Sequence, residues 1–269
     1  MQAGESDILR SLEEVKAMPL TIDACVAQHI GDRKEQQDRV GLFPHPKRGG
    51  VALAVVADGM GGHAGGALAA EQVLYTARSN LEHYSVKEET PRALLESSIH
   101  EAHTMIKAMR MVNEKDPHST AVMLLLQPGK VSWAHCGDSR LYRFRGDRTS
   151  FRTTDHSYVE HLIAEGKITP EQALVHPNRN ILLTSMGGGE PPKIAYGESD
   201  DLLGGDSFLL CSDGLWGYFD DAELAGVVAA FPAREAAGIL IDRARSRAKG
   251  EGDNVSVAIL KLIEVPAKK

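Results

Sequence analysis

The chain has no long apolar run, few aromatic rings and no excess of basic charge, and each shortage removes a class of function. Its longest unbroken apolar stretch, residues 51–57, is far short of the ~20 residues that a membrane-spanning helix needs. Aromatic residues make up 5% of the 269, and 30 Lys+Arg stand against 37 Asp+Glu, a formal net charge of −7. Nucleic-acid binding relies on basic patches and stacking rings, so no such partner is expected. Cysteine is scarce and odd in number. Cys25, Cys136 and Cys211 each lie in or beside an apolar run, where the residue serves as a small hydrophobe, and no disulfide framework is expected. The first residues lack a basic segment followed by an apolar one. No secretory leader is therefore read, and a reducing cytoplasm is the expected compartment.

What is present is a succession of short apolar runs and amphipathic stretches. Ile8, Leu9, Leu12 and Val15 recur at helical spacing before Pro19, so residues 1–20 read as an N-terminal extension, either a short helix or a loose arm. Strands are expected over 22–30 and 51–57, then helices over about 66–84 and from Pro91, with Thr90 as the N-cap. Further strands are expected over 119–126, 131–136, 141–145 and 148–153. Short helices at 156–165 and 170–175 precede a strand at 207–211, helices at 221–230 and 233–248, and a closing strand at 255–263. Segregated runs of strands and helices indicate an α+β architecture. The expected packing is a central antiparallel β-sandwich flanked on both faces by helix pairs, a four-layer α-β-β-α arrangement. No repeat or long linker divides the chain, so 21–263 is expected to form one domain, with 264–269 as a tail.

Aspartate recurs where these apolar runs end. Asp58-Gly59 follows 51–57, Gly137-Asp138 follows 131–136, Asp213-Gly214 follows 207–211, and Asp253-Asn254 precedes 255–263. Asp38 follows the first strand after a polar bend containing Arg33. A single Asp-Gly is ordinary turn chemistry. Five converging carboxylates would repel one another unless cations neutralised them. With no Cys/His pair at zinc spacing, oxygen donors of this kind suit Mg²⁺ or Mn²⁺. Hard cations beside an arginine suit phosphate-ester hydrolysis, the guanidinium gripping phosphoryl oxygens through its fork.

In order along the chain, Arg33…Gln37-Asp38, Asp58-Gly59-Met60-Gly61-Gly62-His63, Gly137-Asp138-Ser139-Arg140, Ser212-Asp213-Gly214-Leu215 and Gly252-Asp253-Asn254-Val255-Ser256 resemble the motifs of the protein phosphatase 2C family, the metal-dependent protein Ser/Thr phosphatases. The stretch from Thr154-Asp155-His156-Ser157 to Asn180 is similar to the corresponding segment of the bacterial branch. The resemblance spans about residues 21–263. It implies a catalytic domain in which Asp58 bridges two Mg²⁺ or Mn²⁺ ions, the Gly59 carbonyl binds one of them, and Asp213 and Asp253 complete the other site. Asp38 would hold metal-bound water and Arg33 the substrate phosphate, with a bridging water attacking phosphorus in line. The implied substrate is a phosphorylated protein supplied by an opposing Ser/Thr kinase, and the implied state a monomer.

Several positions depart from the family pattern, among them His118-Ser119-Thr120 in place of the family's Gly-Thr-Thr before the next strand. Many members carry Glu where Gln37 stands, and Gly217 replaces an acidic residue found in members with a third metal, which weakens a third ion at Asp138. Met60 stands where the animal branch has His. His63 is then the candidate acid for the leaving oxygen, a metal-bound water or a merely packed His63 being the alternatives. Gln37 and Gly217 motivate a rival function, a catalytically weak phosphatase-like module that binds a phosphoprotein or regulatory partner. His156 and His161 are expected on the surface or a flap, and Met105, Met109 and Met111 in core gaps.

Overall fold

Alternate residues of a strand point to opposite faces, and here both faces of the central strands are covered. That is why those strands read as unbroken apolar runs. The computed structural model describes residues 20–61, 65–112 and 116–265, without the side chains of 111 and 112. The expectations placed on residues 1–19, Gly62, His63, the Met111 side chain and 266–269 fall outside the described residues.

Two five-stranded antiparallel sheets form the centre. The first has the order β1 (Leu20–His29), β12 (Val255–Glu264), β11 (Asp206–Cys211), β8 (Arg140–Arg145), β9 (Arg148–Arg152). The second runs β10 (Ala195–Ser199), β7 (Lys130–Cys136), β6 (Ala121–Gln127), β3 (Ala52–Ala57), β2 (Arg39–Pro44). A two-stranded ribbon pairs β4 (Gly59–Met60) with β5 (His118–Ser119). Helices α1 (Gly65–His83) and α2 (Pro91–Val112) follow β4; α3 (Tyr158–Ala164) and α4 (Pro170–Leu174) lie between β9 and β10; α5 (Asp213–Trp216), α6 (Asp221–Ala230) and α7 (Ala233–Ala248) lie between β11 and β12.

Three apolar layers hold these parts together. Leu53 and Val55 of β3 and Met123 and Leu125 of β6 pack with Leu94, Leu95, Ile99 and Ile106 of α2. The intervening residues, Ala54, Val56, Val122 and Leu124, meet Phe208, Leu210, Ala258 and Leu260 of the other sheet. Leu209, Val257 and Ile259 turn outward onto Leu224 and Val228 of α6 and Leu240 of α7. The four-layer α-β-β-α order expected from the sequence is the order observed. Capping agrees as well: Thr90 Oγ1 accepts a hydrogen bond from Ala93 N at 3.1 Å, supplying one of the partners that the first helical turn lacks.

Some elements differ from expectation. Strands β2 and β10 and the short α5 are additional; both strands are sheet edges, where one backbone side needs no partner and the apolar signal is weak. Met105 is 49% exposed on the outer face of α2 and fills no core gap, while Met109 is half-buried.

Candidate active site

Asp58 follows β3 and Asp138 follows β7 in one sheet, whereas Asp213 follows β11 and Asp253 precedes β12 in the other. β3 and β7, which run the same way on either side of β6, both end at this mouth of the sandwich, and β11 ends there where its antiparallel neighbour β12 begins, so the four carboxylates meet. With Arg33 they line a cleft of about 770 Å³. Asp38 lies behind the wall, 1% exposed, and its Oδ2 accepts a 2.6 Å hydrogen bond from Ser212 Oγ. The same Ser212 Oγ accepts from Ser256 N at 3.0 Å, which pins it between β11 and β12. The structure thus gathers the five aspartates and Arg33; His63 is the one expected catalytic residue outside the described part.

The supporting polar contacts were not visible as spacing. Asn254, 4% exposed, donates through Nδ2 to the carbonyls of Ile30 (2.8 Å) and Glu35 (3.0 Å), and its Oδ1 accepts from Gln37 N at 2.7 Å. One buried amide therefore laces the whole Arg33 loop to the start of β12. Thr120 does comparable work for Asp58: its Oγ1 accepts from Asp58 N at 3.1 Å and its N donates to Asp58 O at 2.8 Å. Beside them Gly59 meets Gly66 so closely that a Cβ on Gly59 would lie 2.0 Å from the Gly66 carbonyl oxygen, so only glycine lets α1 start against the cleft. Replacing Asn254 by Ala is expected to cost about 3 kcal/mol, since three part-buried hydrogen bonds, at roughly 1 kcal/mol each, are lost at once. Denaturant midpoints with unchanged slope would measure it; a loss below about 0.5 kcal/mol would show that the loop is held by other means.

Electrostatically the cleft is short of positive charge. Arg33, 60% exposed at its side chain, reaches Asp253 Oδ2 at 2.6 Å, and this hydrogen bond raises the guanidinium's proton affinity further. Burial, then neighbouring carboxylates, push Asp138 up to about 8 and Asp213 up to about 6. Burial, opposed by the Ser212 hydrogen bond, leaves Asp38 at about 7. Asp58 is raised well above its ordinary value, again chiefly by burial and then by Asp38 and Asp213. The carboxyls cannot all ionise together without added cations. Among the described residues no three acidic, His or Cys side chains close into a finished cation cage. The donor set nevertheless fits hard divalent ions: it is all oxygen, it is gathered in one cleft, and its charge is uncompensated.

The protein phosphatase 2C family model matches residues 26–237. The chain belongs to the protein phosphatase 2C family. It is 28% identical over 241 residues to the protein phosphatase PhpP of Streptococcus pneumoniae, covering 88% of this chain and 95% of the relative. The solved S. agalactiae serine/threonine phosphatase is similar with a TM-score of 0.81 and 29% identity, over 90% of this chain and 99% of that one. The catalytic domain of the serine/threonine protein phosphatase PstP, solved with two manganese ions, gives a TM-score of 0.73 and 28% identity over 91% of this chain and all of that one. As a protein phosphatase 2C member the chain is a metal-dependent serine/threonine phosphatase.

Two histidines of this phosphatase separate cleanly. His161 is exposed and faces Glu165 at 3.3 Å, as expected of a surface residue. His156 is half-buried: its ring stacks on His135 at 4.6 Å, and its Nδ1 accepts from Gly137 N at 3.3 Å. Its place in the Thr154-Asp155-His156-Ser157 stretch, directly before a capped helix, was the available signal.

Proposed function

We propose that the cleft hydrolyses phosphoserine and phosphothreonine in proteins with two Mg²⁺ or Mn²⁺ ions, held by Asp58, the Gly59 carbonyl, Asp213 and Asp253, with Asp38 orienting water from behind them. The observation that carries the reading is the convergence of half-buried, mutually repelling carboxylates from both sheets at one open cleft. When bound, such ions acidify a water between them for in-line attack on phosphorus and neutralise the phosphoryl oxygens.

The protein's own groups do the rest. Arg33 sits on an exposed loop at the rim, so its fork can leave Asp253 and grip the phosphate. Asp38 keeps its carboxyl fixed through Ser212, directly behind the carboxylates that line the cleft. His63 or a cleft water protonates the leaving oxygen. Asp138 offers a weaker third position, because Gly217 brings no side-chain donor to it. The substrates are phosphoproteins, and the reaction that supplies them is that of a Ser/Thr kinase. A reducing cytoplasm is the proposed compartment, in keeping with three cysteines that are free; a monomer is the proposed state.

Hydrolysis of a phosphothreonine peptide with Mn²⁺, with and without chelator, tests this. Absence of metal-dependent turnover from about pH 6 to 9 would favour the binding-only module, given that a catalytic base or acid near its pKa works within that window. Arg33→Ala is expected to lower kcat/KM about tenfold to a hundredfold, mainly through KM, the loss typical of a charge-assisted contact. Arg33→Lys should recover only part, because an ammonium lacks the bidentate fork. An unchanged KM in both variants would remove Arg33 from the phosphate.

A further inference from the structure

Trp216 occupies a place that neither strand-end chemistry nor the metal reading explains. It ends α5, the four-residue helix that opens with Asp213, and its Nε1 donates to the Asp138 carbonyl oxygen at 3.0 Å. One short helix therefore joins Asp213, which follows β11 in the first sheet, to the backbone of Asp138, which follows β7 in the second. The indole is itself fixed. The Arg140 guanidinium lies 3.6 Å from its ring centroid. Arg140 in turn makes a bidentate pair with Asp155, Nε to Oδ1 at 2.8 Å and Nη2 to Oδ2 at 2.7 Å, with both side chains nearly buried. A bidentate pair sets the plane of a guanidinium, and a stacked guanidinium sets the plane of the ring beneath it.

We infer that Trp216 is a positioning residue that braces Asp138 against the helix of Asp213, with Arg140 and Asp155 holding the brace in register. The inference rests on the metal reading above and deepens it. Gly217 brings no donor to the Asp138 side, so the Asp138 turn must be ordered by the protein alone. Gly137, with φ +103, leaves that turn in a conformation few residues adopt. The turn is gripped on one flank by His156 and on the other by Trp216. Outer contacts of this type ordinarily change metal affinity about tenfold to a hundredfold.

The test is Mn²⁺ binding to the full chain, read by calorimetry and by the signal of free Mn²⁺, alongside phosphopeptide kinetics. Trp216→Phe keeps an aromatic ring for the Arg140 guanidinium to stack on and removes the N–H together with part of the indole. It is expected to weaken the most weakly held Mn²⁺ about tenfold and to lower kcat while KM for the peptide stays put. In an Asp138→Ala background the same substitution should change Mn²⁺ affinity no further. Unchanged Mn²⁺ affinity in Trp216→Phe would overturn the inference. So would a loss that persists in full without the Asp138 carboxylate, which is what general loosening predicts. Should Trp216→Phe fail to fold, Asp155→Asn, which weakens the grip on Arg140, is expected to shift Mn²⁺ affinity in the same direction, and no shift would count against the brace. A wild-type chain that binds no Mn²⁺ would sink the metal reading first, a result distinct from every outcome above.

Discussion

Asp213→Asn is expected to lose phosphatase activity on the order of a thousandfold, or ~4 kcal/mol of barrier, while the fold survives. The two halves of this expectation come from the same crowding. Asp213 stands within reach of Asp253, Arg33 and Asp58, and its carboxylate is one of the few groups placed to hold a cation on the β11 side of the cleft. An amide of the same shape keeps the packing and still accepts one hydrogen bond, but it offers a cation far less. In the metal-free protein the exchange removes a negative charge from a cluster that already resists ionisation, so the melting temperature should hold steady or rise. The stabilisation that added Mn²⁺ gives the wild type should shrink sharply in the variant. Activity, metal-free melting and the Mn²⁺-induced shift, taken together, separate loss of a ligand from loss of structure. Near-wild-type turnover would remove Asp213 from the metal site.

The layered core was legible because its signals are local and repeated. Strands β3, β6, β11 and β12 carry apolar residues on both faces, and each face has its own partner layer. Helices α6 and α7 match the expected ranges, and α1 and α2 start where the glycine and Thr90-Pro91 signals put them. The edges were less legible. β2 contains Gly41 and Pro44, and β10 contains Gly197 and is largely polar, since an edge strand that faces solvent is under little pressure to alternate cleanly. At the site, Asp38, Asp58, Asp138, Asp213 and Asp253 stood out as acidic residues at strand ends. Their supports did not. Asn254, Thr120 and Trp216 act through hydrogen bonds across 62 to 224 positions of chain, and no periodicity marks a residue whose partner is that remote. Arg140 and Asp155 form their buried pair for the same reason out of view, fifteen positions apart.

The metal-free protein is expected to become less stable as pH rises from 6.5 to 8.5, and divalent cations are expected to reverse that slope. Asp38 at about 7 and Asp138 at about 8 lie far above the ordinary carboxyl value, and Asp58 is raised with them. A carboxyl whose pKa is raised in the fold keeps its proton there after the unfolded chain has released it near ~4. The folded state then carries more bound protons, so its stability relative to the unfolded chain falls with each pH unit, by at most about 1.4 kcal/mol per retained proton. The loss ends once the pH exceeds the folded values. Buried His135 and His156 work the other way, because burial lowers their proton affinity, His156 to about 4. Their contribution rises with pH but is complete above the ordinary histidine value near ~6.5, which is why the window starts there. Mn²⁺ must displace protons from the raised carboxyls, so its binding should release protons and tighten with pH. Melting curves with and without Mn²⁺ across the window, with proton release followed in weak buffer, check both slopes. Chelator should abolish turnover throughout. A metal-free melting temperature that climbs from pH 6.5 to 8.5, together with Mn²⁺ binding that releases no protons, would mean that the carboxylates are already ionised and that the cleft's charge is balanced without metal.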